Sequence, residues 1–362
     1  MSKYISIYGG SRAVSLIRER GFSQDMVKIV AAAAGGPKWL ILGAFDRILF
    51  PGFFRNRKTS LFLVGSSAGA WRLAAACQNR PDEALEKFRH GYIHQWYSLN
   101  PGHGDILFEC RRILSEYLNA EAVDEILTHP RYRLNILSVR SRGLLKSENT
   151  MVQASGLFMS ALFNMVKRDF LKYFFDRVLF YHPAEKPPFY NMNRFPTRKV
   201  ALDKNNFHKA ILSSGSIPII MPGVENIPGA PSGVYRDGGI IDYHMDIPFL
   251  PENNDDQGLV LFPHYSDKII PGWLDKTNGR LPGAANMKHL VMISPTRAFI
   301  DLLPGKKIPD RSDFSDFKGN NRERIARWKK ACTISRLLGE EFFDVIDSNR
   351  VAQCIKPLKT AP

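Results

Sequence analysis

Cysteine is scarce in this sequence of 362 residues, and the few cysteines are scattered along the chain. The four are Cys77, Cys110, Cys332 and Cys354, and no two of them have the C-x-x-C spacing of zinc or redox sites. The spacing therefore predicts neither a disulfide framework nor a zinc site, and it favours a reducing compartment.

Long apolar runs are missing as well. No window of about 18 uncharged apolar residues occurs, so we predict no transmembrane helix. The opening stretch, MSKYISIYGGSRAV, lacks the apolar core of a secretory signal, although a non-classical export signal would leave no such mark. We expect a protein of the cytoplasm, or one bound peripherally to a membrane.

Acidic residues are outnumbered, because 35 Asp and Glu face 50 Lys and Arg, for a formal net charge of +15. This excess predicts an anionic partner. Basic residues are dense at 55–58 and 304–330, but no RNA-binding or zinc-finger signature accompanies them. We expect contact with an anionic membrane rather than with nucleic acid, and a solvated basic face is the alternative.

Apolar runs of strand length alternate with helical patterns along most of the chain. The predicted strands lie at 27–33, 61–64, 132–141, 199–202, 234–242, 259–265 and 288–294. This alternation predicts a three-layer α/β/α sandwich with a mostly parallel central sheet. Functional sites of such sheets lie beyond the carboxyl ends of the strands, which points to the loops at 34–38, 65–69 and 237–239.

The stretch LFLVGSSAGAW, residues 61–71, contains the pattern G-x-S-x-G with Ser67 at its centre. A sharp reversal from strand to helix would make side chains at 65 and 69 collide, which accounts for Gly65 and Gly69. The following helix would aim its N-terminal N–H groups at the Ser67 hydroxyl, as at a nucleophile. The alternative is a glycine-rich turn in which Ser66 or Ser67 caps the helix.

A serine nucleophile needs a neighbouring group that takes its proton. Asp237 in YRDGG is the sharpest candidate, because Gly238 and Gly239 let the backbone turn and leave the carboxylate facing a site. Burial would raise the pKa of this carboxyl from its ordinary value of about 3.9. The alternative base is His264 or His289, as in the Ser-His-Asp triad of an α/β-hydrolase esterase, although no HGGG-type loop is present.

Together, the GSSAG and DGG motifs resemble those of the patatin-like phospholipase family. The similarity runs from about Val27 to Asp242 and includes SSGSIPIIMPGV at 213–224. The resemblance implies a lipid acyl hydrolase of the phospholipase A type, with Ser67 as nucleophile and Asp237 as general base. It implies a dyad without histidine, and no metal or organic cofactor. A catalytically silent member of the same fold that binds lipid or protein is another alternative.

A third stretch, AGGPKW at 34–39, is similar to the glycine-rich loop of that family, from which Ala34 and Trp39 depart. The resemblance implies an oxyanion hole built from backbone N–H groups. The donors it implies are those of Gly35, Gly36, Lys38 and Ala68. Pro37 has no N–H to offer. We expect Trp39 to narrow the pocket and to shift the preference for acyl chains.

The chain divides, by these patterns, into a patatin-like catalytic domain and a basic tail. We predict the domain over 1–303, with a motif-bearing core at about 27–265, and a basic linker with a C-terminal helix over 304–362. A helical insertion at about 150–181 is rich in phenylalanine and has a wide apolar stripe. It either packs on the core or covers the active site in contact with lipid.

Overall fold

The computed structural model describes residues 2–251 and 257–361. Within these ranges, ten strands form one sheet in the order β10-β1-β9-β8-β2-β3-β4-β5-β6, and β7 pairs with β4. The strands are β1 (Ile5–Gly9), β2 (Val27–Ala32), β3 (Leu61–Ser66), β4 (Tyr132–Ser141), β5 (Phe175–Tyr181), β6 (Thr197–Ala201), β7 (Tyr235–Asp237), β8 (Leu259–Pro263), β9 (Leu290–Pro295) and β10 (Ile355–Pro357).

Helices flank this sheet, which confirms the predicted α/β architecture with a mostly parallel centre. The α-helices are α1 (Ser11–Arg20), α2 (Gly43–Ile48), α3 (Ala68–Ala76), α4 (Pro81–Ile93), α5 (His103–Tyr117), α6 (Ala120–Thr128), α7 (Thr150–Val166), α8 (Phe207–Ser214), α9 (Ala284–Met287), α10 (Arg297–Ile300), α11 (Ser312–Asp316), α12 (Asn321–Ile334), α13 (Arg336–Asp347) and α14 (Val351–Cys354). Short 3-10 segments span Gly36–Ile41, Gly143–Lys146, Arg168–Tyr173, Gly238–Ile240, Trp273–Asp275 and Pro304–Lys306, and a π-helical turn spans Leu49–Phe53.

The five central strands β9, β8, β2, β3 and β4 are parallel, so their carboxyl ends lie at the same edge of the sheet. Every residue of β3 is buried, as its uninterrupted apolar run predicts for a strand covered on both faces. The antiparallel strand β7 pairs with β4 and places Asp237 opposite Ser138. This topology brings the ends of β2, β3 and β7 together.

The predicted helical insertion is wrong in its last part. Helix α7 ends at Val166, a 3-10 segment follows, and residues 175–181 form strand β5. Strand β5 lies between β4 and β6, and its residues are buried through Phe180. The apolar spacing of this segment also fitted a helix, and burial on both sides within the sheet favours the strand instead.

The C-terminal region contributes to the same sheet. Strand β10 pairs in parallel with β1, and the side chain of Trp328 in α12 is buried. The C-terminal helix predicted within 304–362 is two longer helices, α12 and α13, which are separated at Ser335. The elements β1, α1 and β10 had no counterpart in the sequence-based prediction. A domain boundary after residue 303 stays a prediction.

Candidate active site

Strand β3 turns into helix α3 at Ser67, whose backbone has φ 56° and ψ −132°. A non-glycine residue in this region is strained, and such strain persists only where the surroundings hold it. The Ser67 N–H donates to Ser214 Oγ at 2.8 Å, and that hydroxyl donates to the Leu137 carbonyl at 2.6 Å. Neighbouring elements thus fix the strained turn.

The two glycines of the turn have no space for a side chain. A Cβ at Gly65 would lie 2.5 Å from the Ala70 nitrogen, and one at Gly69 would lie 2.2 Å from the Ala32 carbonyl oxygen. The crowding predicted from the motif is therefore present. Gly65 permits the close approach of the helix start, whereas Gly69 permits α3 to pack against β2.

The structure brings the predicted nucleophile and base into direct contact. Ser67 Oγ donates to Asp237 Oδ2 at 2.7 Å. The other carboxylate oxygen, Asp237 Oδ1, accepts the Gly239 N–H at 2.7 Å. Gly238 packs so tightly that a Cβ there would lie 2.2 Å from the Leu137 carbonyl oxygen. The DGG turn therefore aims the carboxylate at Ser67.

Burial raises the pKa of Asp237, and it is the largest influence on this group. The Arg311 guanidinium opposes the shift from 3.8 Å, as do the hydrogen bonds from Ser67 and Gly239. Burial, together with Arg311 and Lys38, lowers the pKa of Lys276 to about 8. A carboxylate with raised proton affinity thus lies among basic side chains.

Two of the four expected oxyanion donors line the same cavity as Ser67. These are Gly36 and Ala68. Ala68 is the first residue of α3, so its N–H has no acceptor within the helix and lies at the positive end of the helix dipole. The Lys38 N–H instead donates to the Gly35 carbonyl at 3.5 Å, within its own turn. Gly35 and Lys38 are not among the residues that line the cavity.

A buried hydrogen-bond chain supports the glycine-rich loop. The Ile270 N–H donates to His244 Nδ1 at 2.8 Å, so Nε2 carries the proton and donates to Tyr265 Oη at 2.7 Å. Tyr265 Oη donates in turn to the Ala34 carbonyl. The Tyr265 ring fills the space beneath Gly35, where a Cβ would lie 2.7 Å from it. The sequence patterns did not indicate this support.

The alternative histidine bases lie elsewhere. His264 contacts the backbone of Ser266 through Nδ1, and burial lowers its pKa to about 3. His289 precedes β9, and therefore lies at the sheet edge opposite to Ser67. Across the described residues, the hydrogen-bond partner of Ser67 Oγ is a carboxylate, and no histidine bonds to it.

A cavity of about 520 Å³ opens beside Ser67. Its lining is mainly apolar and includes Trp71, Ile106, Ile113, Ile217, Met221 and Phe314. Arg311 also lines it, and this contribution of the C-terminal region was missed because no motif marks it. The dense basic sequence at 304–330 was the available signal, but it did not single out one arginine.

Trp39 was expected to narrow the pocket, and this expectation is wrong. Its side chain is buried in the core, stacked on Phe88 with ring centroids 4.2 Å apart. Pro37 lines the cavity in its place. The 3-10 turn that starts at Gly36 directs Trp39 towards helix α4, which explains the difference.

Comparison with known proteins adds little to this geometry. No family model matches the chain, and a search of curated proteins finds no match. Among solved structures, the crystal structure of VipD from Legionella pneumophila is similar with a TM-score of 0.31 and 11% sequence identity. The alignment covers 73% of this chain and 53% of that chain, so this chain spans about half the length of that structure. A TM-score of this size carries no argument about activity.

Proposed function

We propose that this protein is a serine acyl-ester hydrolase of the patatin-like type, which acts on lipids through a Ser67–Asp237 dyad. The observation that carries the proposal is the 2.7 Å hydrogen bond from Ser67 Oγ to Asp237 Oδ2, made at a strained strand-to-helix turn. A serine hydroxyl beside a buried base, at a helix N-terminus, is the arrangement that acyl transfer requires.

In the first step, Ser67 Oγ attacks the ester carbonyl carbon while Asp237 takes the hydroxyl proton. The carbonyl oxygen becomes an oxyanion, which the N–H groups of Gly36 and Ala68 stabilise. Loss of one such donor costs on the order of 3 kcal/mol in related chemistry. Asp237 then gives the proton to the leaving alcohol, and an acyl-enzyme remains at Ser67.

In the second step, water attacks the acyl-enzyme while Asp237 again acts as the base. Collapse of the second oxyanion releases the fatty acid, and the proton returns to Ser67 Oγ. The raised pKa of Asp237 supports this role, since a carboxyl with an ordinary pKa would be a weak base near neutral pH. Each atom and proton is accounted for by the ester, one water and the dyad.

The cavity supports lipid as the substrate class. Its apolar lining lies next to Ser67, so an acyl chain held there would place its ester at the nucleophile. Burial of a chain contributes about 0.8 kcal/mol per CH₂ group. The same contacts would not favour a short polar ester, which has little apolar surface to bury.

The test is mass spectrometry of the products formed from a mixed pool of phospholipids and glycerides. The wild type should release fatty acids, whereas Ser67→Ala and Asp237→Asn should not. Ser66→Ala is the matched control, because Ser66 Oγ is buried without a hydrogen-bond partner among the described residues. The proposal fails if the folded wild type releases no fatty acid from any lipid in the pool, or if Ser67→Ala keeps its activity.

A further inference from the structure

Helix α7 buries polar side chains and exposes apolar ones, which is the reverse of an ordinary surface helix. Its buried positions are mostly polar or small, namely Gln153, Gly156, Leu157, Ser160 and Asn164. Apart from Thr150 and Ser155, its exposed side chains are apolar, and we call these apolar side chains the α7 face: Met151, Val152, Phe158, Met159, Leu162, Phe163, Met165 and Val166. A helix on the surface of a globular protein normally has apolar side chains on its buried side and polar side chains on its exposed side.

Hydrogen bonds fix this orientation. Asn164 Nδ2 donates to Asp275 Oδ1 at 2.8 Å, and Gln153 Nε2 donates to the Ser147 carbonyl at 2.8 Å. Rotation of α7 to bury its phenylalanines would break both bonds and expose a buried network. The apolar exposure is therefore built into the fold, with Phe158 66% exposed and Val166 79% exposed.

The charge around the α7 face is positive. No acidic residue lies between Glu148 and Asp169, and both of these carboxylates are paired with arginines, at 2.8 Å and 2.9 Å. Exposed lysines flank the helix on both sides, at Lys146, Lys167 and Lys172. An apolar helix face surrounded by cations complements an anionic lipid bilayer, in which an apolar interior lies beneath anionic headgroups.

The buried side of helix α7 is connected to the rim of the cavity. Gln153 Oε1 accepts the N–H of Ile219, a β-branched residue held at φ 68°. The next residue, Ile220, lines the cavity and is 45% exposed. Leu99, also on the cavity lining, is 60% exposed. Apolar exposure at the rim would let an acyl chain pass from a bilayer to Ser67 without crossing water.

We propose that the α7 face is the surface by which this protein docks on an anionic lipid bilayer. The proposal rests on the proposed function only in treating the bilayer as the source of the substrate. Phe158 and its apolar neighbours enter the boundary between headgroups and acyl chains, and Lys146, Lys167 and Lys172 contact anionic headgroups.

The experiment is flotation with vesicles of phosphatidylcholine, with and without phosphatidylserine. The protein carries Ser67→Ala, so that hydrolysis cannot alter the vesicles. Phe158→Glu should lower binding to the phosphatidylserine vesicles by about tenfold or more, since a charge replaces an inserted ring. Phe343→Glu is the matched control, because Phe343 is also an exposed helical phenylalanine, at 55%, and lies outside α7. It should bind as the parent does, and Val166→Glu should repeat the loss.

Three outcomes would overturn the proposal. The first is binding by Phe158→Glu equal to that of the parent, and the second is an equal loss in Phe343→Glu. The third is a dimer, measured by light scattering, that Phe158→Glu dissociates, because a second copy would then cover the α7 face. Circular dichroism checks that each variant folds.

A soluble short-chain ester separates this proposal from the proposed function. With Ser67 intact, Phe158→Glu should hydrolyse that ester at the wild-type rate. Vesicle binding without any ester hydrolysis would leave the docking proposal standing and contradict the proposed function. Ester hydrolysis without vesicle binding would support the proposed function and contradict the docking proposal.

Discussion

At the scale of single residues, the backbone of Ser67 is the feature most closely tied to chemistry. A serine at φ 56° and ψ −132° is strained, typically by about 1–3 kcal/mol, whereas glycine adopts such angles without a Cβ penalty. We therefore expect Ser67→Gly to be more stable than Ser67→Ala by about 1 kcal/mol, although neither variant has a nucleophile.

Urea unfolding of the two variants measures this difference. Both substitutions remove the Ser67 hydroxyl, so the comparison isolates the backbone from the hydrogen bond to Asp237. Equal midpoints, or a less stable glycine variant, would show that the turn at Ser67 carries no strain.

Arg311 gives a second prediction at this scale, concerning pH. The pKa of Asp237 is raised by burial, and the Arg311 guanidinium partly opposes that shift. Because the base must be a carboxylate, the acid limb of the kcat/KM profile should follow the pKa of Asp237. Removal of a positive charge destabilises the carboxylate, so Arg311→Gln should raise this pKa further and move the acid limb to higher pH.

The measurement is kcat/KM for a soluble ester against pH. Arg322→Gln removes the same charge from an exposed position in α12 and should leave the profile unchanged. A profile that stays in place for Arg311→Gln, or moves to lower pH, would contradict the role given to Arg311.

At the scale of secondary-structure elements, a buried ion pair joins β5 to the turn that carries Asp237. Arg177 Nε and Nη2 donate to the two carboxylate oxygens of Asp242, each at 2.7 Å, and both side chains are buried. Removing one partner leaves an uncompensated buried charge. We expect Arg177→Ala to lower the free energy of unfolding by about 3–5 kcal/mol.

Denaturant unfolding tests this prediction, with Arg177→Met/Asp242→Leu as the comparison. The double variant leaves no buried charge unpaired and should recover most of the loss. A cost below about 1 kcal/mol for Arg177→Ala would mean that the pair does not hold the turn.

The elements also show what could be predicted from the sequence. Strands β2 and β3 were predictable because largely apolar runs followed by glycine turns mark them. The contact between Ser67 and Asp237 was expected from the resemblance of two motifs to the patatin-like family, whereas the residues alone left His264 and His289 open as bases. Strand β5 was not predictable, because its apolar residues also fit helical spacing, and its place between β4 and β6 is a property of the whole sheet.

The buried face of α7 was equally beyond prediction. Its apolar stripe was visible in the sequence, but the hydrogen bonds of Gln153 and Asn164 decide which side faces inward. Arg311 reaches Asp237 from a distant part of the chain, and no local pattern indicates that contact. Tertiary contacts of polar side chains therefore determine both the orientation of α7 and the position of Arg311 at the site.

At the scale of the whole molecule, the C-terminal region belongs to the same hydrophobic core as the motifs. Trp328, Phe342 and Ile355 are buried in that core, and β10 covers the edge of β1. A chain that ends at Leu303 would expose this apolar surface and an unpaired strand edge. We expect it to aggregate or to lack a cooperative unfolding transition.

Thermal unfolding of the shortened chain, followed by circular dichroism, is the measurement. A soluble fragment with a cooperative transition would contradict this expectation and would support a separate domain over 1–303. Loss of the Arg311 contact alone would change activity without preventing folding, so the two effects can be separated.

The most direct test of the central claim is labelling by a fluorophosphonate probe, which reacts with activated serine nucleophiles. Intact mass and peptide mapping locate the adduct. We expect a single adduct on Ser67 that persists in Ser66→Ala and is lost in Ser67→Ala. A folded wild type that remains unlabelled, or an adduct that survives Ser67→Ala, would contradict it.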